Sequence, residues 1–249
     1  MISLYNDDCF NVFPNIPDNS VDMVLVDPPY GVTVCKWDIK IPFDAMWVHL
    51  HRIIKDNGAI CIFGTEPFSS SLRMSNLKNF KYDWYWNKNS KSGFMNAKLK
   101  PMNTIEMISV FSTGTTANGS KRNMRYNPQG LKPYNKITKS GNKIGKEMTV
   151  ARKNSTPSTT IGYLQKWTNY PVNYLEFSYQ KKAVHPTQKP VDLLEYLIKT
   201  YTLDGETVLD FAMGSGSTGV AAKNLNRNFI GIEIDSYYFA TSLKRICQI

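Results

Sequence analysis

The most constraining feature of this 249-residue chain is a glycine turn placed almost at its end. Asp210-Phe211-Ala212-Met213-Gly214-Ser215-Gly216-Ser217-Thr218-Gly219 joins a strand-like run, Thr207–Phe211, to a helix-like run, Ser217–Leu225. Gly214, Gly216 and Gly219 fit the spacing G-x-G-x-x-G. Glycine permits a tight turn there and lets a ligand approach the backbone and the helix N-terminus. Glu233 follows nineteen residues after Gly214, at the end of the next strand-like run, Asn228–Glu233. A carboxylate at that place can accept hydrogen bonds from both ribose hydroxyls. The pair points to a nucleoside-containing cofactor; the plainer alternative is a glycine turn kept only for close packing. NAD, FAD and S-adenosylmethionine all present an adenosine to such a site. No G-K-[ST] follows, which excludes a Walker A loop.

The position of this turn fixes the architecture. A nucleotide-binding half normally opens its domain, yet only thirty residues follow Gly219. One strand and one helix cannot complete a sheet, so the other strands must come from the N-terminal segment. Strand readings there are Ile2–Asn6, Val21–Val26 and Ala59–Phe63, then Tyr82–Trp86 and Glu106–Phe111, which are rich in aromatic and β-branched residues. A helix is predicted over Phe43–Ile54, ended by Asp56-Asn57-Gly58; others are predicted over Pro190–Tyr201, opened by its proline, and Ser236–Cys247. Alternating strands and helices imply an α/β fold: a permuted Rossmann-like sheet, mostly parallel, with helices on both faces.

A second signal ends one of these strands. Val24-Leu25-Val26-Asp27-Pro28-Pro29-Tyr30-Gly31 is a buried-strand pattern running into a carboxylate, two prolines and a tyrosine. The prolines stiffen the turn and lack N–H groups. Ligands of α/β sheets sit at such strand ends. Asp27 and the Pro28 carbonyl are both acceptors, suited to the two hydrogens of an exocyclic amino group. Tyr30 offers a flat face for a planar base. An ordinary proline-rich strand exit is the plainer alternative, and the glycine turn in the same chain weighs against it.

The formal charge of +10 is unevenly placed. From Asn87 to Lys189 there are eighteen Lys and Arg against three acids, Glu106, Glu147 and Glu176, a net +15. The remaining residues carry twelve bases and seventeen acids, a net −5. The middle of the basic block, Ser112 to Ala183, has weak apolar periodicity and interleaves bases with Tyr126, Tyr134, Tyr163, Trp167 and Tyr170. Its plain reading is a solvated loop region; its functional reading is a nucleic-acid surface, with bases on phosphates and aromatics free to stack.

Other classes drop out. No apolar run approaches the ~20 residues that span a bilayer. The opening, Met1 to Asp8, has neither a basic n-region nor a signal-peptide core. Cys9, Cys35, Cys61 and Cys247 are scattered, which argues against a disulfide scaffold or a cysteine zinc site and suits a reducing cytoplasm. His49, His51 and His185 make no H-E-x-x-H pattern, so no metal site is expected.

Asp27-Pro28-Pro29-Tyr30 together with Asp210 to Gly219 resembles the S-adenosylmethionine-dependent amino-methyltransferases of DNA, and the order, tetrapeptide first and glycine turn last, resembles their permuted β class. Asn6 to Cys9 with Ile16 to Asp22 is similar to the family's opening. Trp84 to Lys88 and Glu106 are similar to its middle strands, and His185-Pro186-Thr187-Gln188-Lys189-Pro190 to the segment before its cofactor loop. One departure stands out: the family usually has Asp-Pro-Phe before the turn, and here Phe211 follows Asp210 directly.

The resemblance covers both flanks and implies three parts: residues 1–111 and 184–249 as the catalytic and cofactor-binding halves of the methyltransferase domain, and 112–183 as an inserted basic region that recognises the DNA target. It implies a catalytic role for Asp27, Pro28, Pro29 and Tyr30. Cofactor contacts are implied at Asp8, Asp27, Thr187, Lys189, Asp210, Phe211, Gly214, Ser215, Gly216, Ser217, Thr218 and Glu233. Thr187 and Lys189 are sensible partners for the methionine carboxylate, with a phosphate contact or a solvated lysine as the alternative for Lys189. DNA contacts are expected from Lys88, Lys121, Arg122, Arg125, Lys132, Lys136, Lys139, Lys143, Arg152 and Lys153.

Asp rather than Ser at the head of the tetrapeptide is typical of adenine-specific members, so N6 of adenine in double-stranded DNA is the expected target and N4 of cytosine the near alternative. No Pro-Cys pair is present, which argues against methylation at carbon 5 of cytosine. The class often pairs, which allows a homodimer; a cognate restriction endonuclease is equally allowed, and neither is readable in the sequence. A NAD-dependent dehydrogenase would share the glycine turn and Glu233, but explains neither Asp27–Tyr30 nor the basic block. An inactive DNA-binding protein of this fold would not need Asp27, Tyr30 and the glycine turn all intact.

Overall fold

The computed structural model describes residues 1–31, 41–139, 162–179 and 188–247. In chain order the elements are β1 (Ile2–Tyr5), α1 (Cys9–Val12), β2 (Val21–Val26), α2 (Phe43–Ile53), β3 (Ile54–Gly64), α3 (Phe68–Ser75), β4 (Phe80–Ser92), β5 (Asn103–Phe111), β6 (Lys132–Lys139), β7 (Gly162–Thr168), β8 (Tyr174–Glu176), α4 (Val191–Tyr201), β9 (Thr207–Asp210), α5 (Ser217–Asn224), β10 (Asn228–Ile232) and α6 (Ser236–Cys247).

Eight strands make one sheet in the order β1-β10-β9-β2-β3-β5-β4-β8. All neighbours pair in parallel except β5, which runs against both β3 and β4. The N-terminal and C-terminal segments thus complete one another. Ile2 lies opposite Phe229, and Met23 and Val24 lie opposite Val208 and Leu209. This is the permuted, mostly parallel sheet expected from the position of the glycine turn.

Every residue of β2 is buried, which suits a central strand covered on both faces. Its side chains alternate. Met23 and Leu25 join the core under α4, α5 and α6, with Leu193, Leu197, Ala221 and Ile246. Val24 and Val26 join the opposite core under α1, α2 and α3, with Met46, Leu50 and Leu72. Asp22, buried in the same strand, accepts from the Thr207 N–H at 2.9 Å and from Lys55 Nζ at 2.7 Å. Those two donors satisfy a carboxylate that would otherwise be costly there, and they tie the start of β2 to the start of β9.

α2 ends just ahead of Asp56-Asn57-Gly58, as expected, but the tripeptide forms no separate turn. It lies within β3, where the pairing with β2 shifts register between Val21 and Met23. The irregularity absorbs the turn-forming residues without ending the strand.

The described chain forms two compact units, residues 1–127 with 172–249, and Pro128–Pro171. The second unit holds the antiparallel pair β6–β7. It is narrower than the 112–183 span expected for the insertion. Met124 is buried in the core of the first unit, the Arg125 N–H donates to the Asn57 carbonyl, and β8 pairs with β4. Among the described residues no helix is long and apolar enough to cross a membrane, and no group of His, Cys, Asp and Glu is placed to hold a metal ion.

Candidate active site

Because β2 and β9 are parallel neighbours, their C-terminal ends emerge at the same edge of the sheet. β2 delivers Asp27 to Tyr30 there, and β9 delivers Asp210 and the glycine turn. A cavity of about 450 Å³ opens between them, lined by Asp8, Asp27 to Tyr30, Lys189, Asp210 to Ser215, Ser217, Thr218 and Glu233 among others. Its size falls in the ~300–1,000 Å³ range of small-molecule sites.

The glycine turn is shaped by its backbone. Gly214 and Gly216 have φ of +51° and +78°, the left-handed region that favours glycine. A Cβ on Gly216 would lie 2.7 Å from the Ser242 side chain on α6, so the close approach also requires its absence. Glu233 stands at the end of β10 and accepts the Gly214 N–H on one oxygen at 2.8 Å and the Asp235 N–H on the other at 2.9 Å. A carboxylate has about four lone-pair sites, so acceptor capacity remains on both oxygens. Burial raises the Glu233 pKa, and the Asp235 and Gly214 N–H groups oppose the shift.

Asp210 is buried behind the turn and accepts the Ala212 N–H at 3.1 Å. Burial pushes its carboxyl up to about 7, against the hydrogen bonds from Thr218 and Ala212 and with help from the charges of Asp27 and Glu233. Phe211, one position early against the usual family pattern, is buried, lines the cavity and meets the Phe13 ring edge-on at 5.5 Å. Asp8 lines the far wall and caps α1 by accepting the Phe10 N–H at 2.8 Å. Ser215 and Ser217 are held by Arg245 of α6, whose guanidinium donates to the Ser215 carbonyl and to both hydroxyls.

At the tetrapeptide, Tyr30 donates its hydroxyl to Asp27 Oδ1 and packs against Phe68, ring centroids 4.7 Å apart. Burial raises the Tyr30 pKa well above its ordinary value, and Asp27 and Glu106 add to the shift. Lys189 donates to Asp27 Oδ2 at 2.5 Å and lies 3.3 Å from Glu106 Oε2. The lysine expected to meet a cofactor carboxylate is therefore engaged with two carboxylates of the chain itself.

The expected DNA contacts divide. Lys121 and Arg122 are exposed in the first unit, and Lys132 and Lys136 in the second, where the Lys136 ammonium lies 5.1 Å from the centre of the Tyr134 ring. Lys139 closes β6. Lys88 is a correction: it is buried, and its ammonium lies 3.2 Å from Glu106 Oε1, so it is turned inward rather than toward a phosphate. Arg125 is paired with Glu206 at 3.1 Å. Thr187, Lys143, Arg152 and Lys153 lie outside the described residues. Phe10, Ile234 and Tyr238 also line the cavity and were not foreseen, since nothing in their local sequence marks them.

Comparison with known proteins gives the same picture. A family model described as DNA methylase matches residues 21–244. The Type II methyltransferase M1.MboII of Moraxella bovis is 28% identical over 92% of this chain and 90% of its own length. The DNA adenine methyltransferase YhdJ of Escherichia coli (strain K12) is 25% identical over 98% of this chain and 82% of its own. Among solved structures, the M1.HpyAVI–SAM complex superposes with a TM-score of 0.64 at 27% identity, covering 98% of this chain and all of that one. PvuII DNA methyltransferase, cytosine-N4-specific, shares the fold with a TM-score of 0.69 at 16% identity, over 98% of this chain and 86% of its own. With its tetrapeptide and glycine turn on neighbouring strand ends and a family match over nine-tenths of its length, this chain belongs to the N6/N4 DNA methylase family.

Proposed function

We propose that this protein transfers a methyl group from S-adenosylmethionine to the exocyclic N6 amino group of adenine in duplex DNA. The observation that carries this is the meeting of Asp27–Tyr30 with the glycine turn and Glu233 around one cavity. The residues present fit the cofactor. Glu233 has acceptor capacity for ribose hydroxyls, Phe10, Phe211 and Met213 supply apolar wall, and Asp27, Asp210 and Asp235 supply negative charge for a cationic ligand. S-adenosylmethionine, when bound, supplies an electrophilic methyl group.

The protein's share of the chemistry is orientation and charge. The target adenine leaves the stack to reach a cavity at a sheet edge. Asp27 and the Pro28 carbonyl accept the two hydrogens of its amine and aim the lone pair. The carboxylate offsets the positive charge that develops on nitrogen as the new N–C bond forms and the sulfonium S–C bond breaks; one amine proton then passes to solvent and leaves the methylated nitrogen neutral. The Tyr30 ring, which lines the cavity, is the flat surface available to the base, while its hydroxyl stays on Asp27 Oδ1.

Asp at the head of the tetrapeptide favours adenine, and the adenine methyltransferase YhdJ among the relatives supports that choice. The exposed lysines of Pro128–Pro171 suit target recognition, and the Type II names of relatives support a cognate restriction endonuclease. Scattered cysteines and a DNA substrate fit a cytoplasmic enzyme.

The test is incorporation of labelled methyl from S-adenosylmethionine into unmethylated duplex DNA, followed by nucleoside analysis. N6-methyladenine is expected. N4-methylcytosine would redirect the reading to cytosine, and no incorporation into any DNA would refute it.

A further inference from the structure

Four side chains of alternating charge run along the C-terminal edge of the sheet. Lys88 of β4 pairs with Glu106 of β5 at 3.2 Å, Glu106 with Lys189 at 3.3 Å, and Lys189 with Asp27, just past β2, at 2.5 Å. The intervening strand, β3, contributes Phe63, whose ring centre lies 5.1 Å from the Lys189 ammonium. Lys189 arrives from the segment ahead of α4 and its side chain is only 7% exposed. The geometry points to Lys189 as a positioning residue that holds the Asp27 carboxylate in the orientation needed for methyl transfer.

A lysine buried alone would lose its proton. Here burial opposes the charge, but Asp27 and Glu106 more than reverse that, and Lys189 stays an ammonium. It therefore cannot serve as a base. Glu106 shows the complementary balance: burial disfavours its charge, Lys189 and Lys88 outweigh it, and its pKa is lowered. Asp27 also faces Tyr30, Tyr179 and Asp210, none of them cationic, and among the described residues Lys189 is the cation in direct contact with it.

Tyr30 holds Oδ1 and Lys189 holds Oδ2, which fixes the plane of the carboxylate. Without Lys189, Oδ2 loses its donor and the carboxylate is free to turn out of the plane that the two donors define. Lys189 has this role on the reading, given above, that Asp27 receives the target amine.

The experiment compares Lys189→Met, Lys189→Arg and Glu106→Gln in the whole protein, measuring folding, the Kd for S-adenosylmethionine and kcat on duplex DNA. Lys189→Met is expected to lower kcat at neutral pH by about 100-fold, the scale of a misplaced reacting group. The Kd should change little. Lys189→Arg should recover part of the rate, and Glu106→Gln, which keeps Lys189 on Asp27, should lower kcat less than Lys189→Met does. If Lys189→Met does not fold, Lys189→Arg decides the matter: a kcat below the wild type at an unchanged Kd supports the role, and a wild-type kcat overturns it. A Lys189→Met enzyme with a much weaker Kd but unchanged kcat would make Lys189 a cofactor ligand and also overturn it. The two readings fail separately: a wild-type protein that methylates no DNA refutes the function, whereas an active wild type matched by Lys189→Met refutes only the positioning.

Discussion

Asp210 is the residue whose environment has the most direct measurable consequence. Its carboxyl is raised to about 7, chiefly by burial. Between the ordinary carboxylate range near ~4 and that value, the folded protein holds a proton that the unfolded chain lacks. The associated stability is complete below the ordinary range and is lost as pH rises through 7. The difference in Tm between the cofactor-free protein and Asp210→Asn should therefore move against the wild type from pH 5 to pH 8. The same proton competes with a cationic ligand. If S-adenosylmethionine selects the anion, its Kd should be about tenfold weaker at pH 6 than at pH 8 in the wild type, and nearly flat in Asp210→Asn by calorimetric titration. At the neighbouring strand end, Asp27→Ala should abolish methyl transfer while cofactor still binds, and Glu233→Ala should raise the Kd for cofactor. Equilibrium binding beside single-turnover assays checks both. Asp27, Asp210 and Glu233 were readable in the sequence because each sits at a fixed offset from prolines or glycines. The pairing of Lys189 with Asp27 was not, because 162 residues separate the partners and only the folded sheet brings them together.

At the level of elements, the glycine turn and the helix it opens are shaped by α6. Gly216 starts α5 with φ +78°, and a Cβ there would meet Ser242 at 2.7 Å and Ile246 at 2.9 Å. Gly216→Ala combines left-handed strain with overpacking and should cost about 2 kcal/mol or more, measurable by urea denaturation. The flanking strands and helices were legible because buried parallel strands and amphipathic helices leave strong patterns. α2, α4, α5 and α6 fall within a residue or so of their expected bounds. Other features escaped, the short helices α1 and α3 among them. β3 runs through Asp56-Asn57-Gly58, which form an irregularity between the paired residues Ile54 and Ala59. The β6–β7 pair and β8 lie in polar sequence whose local signal is weak, so their strand character comes from pairing partners.

At the level of the whole molecule, charge and architecture separate. Pro128–Pro171 is a compact unit of its own, with eight Lys and Arg against one acid. Replacing it by a short flexible linker should leave cofactor affinity near the wild-type value and weaken DNA binding. The salt dependence should fall too, because each lost phosphate contact lowers the slope of log K against log salt by ~0.9. Cofactor titration beside DNA binding at two salt concentrations separates the effects, and unchanged DNA affinity would free this unit of the role. The remaining unit has a seam. β1 and β2 come from the start of the chain, and their partners β10 and β9 from its end. A ribosome adding ~5–20 residues per second makes β10 some 10–45 s after β1. Until then β2 has a bare edge and the cavity lacks its glycine wall. The central sheet therefore closes only after β9 and β10 have been made, and during elongation the growing chain exposes an apolar strand edge that chaperones can meet before any ligand does.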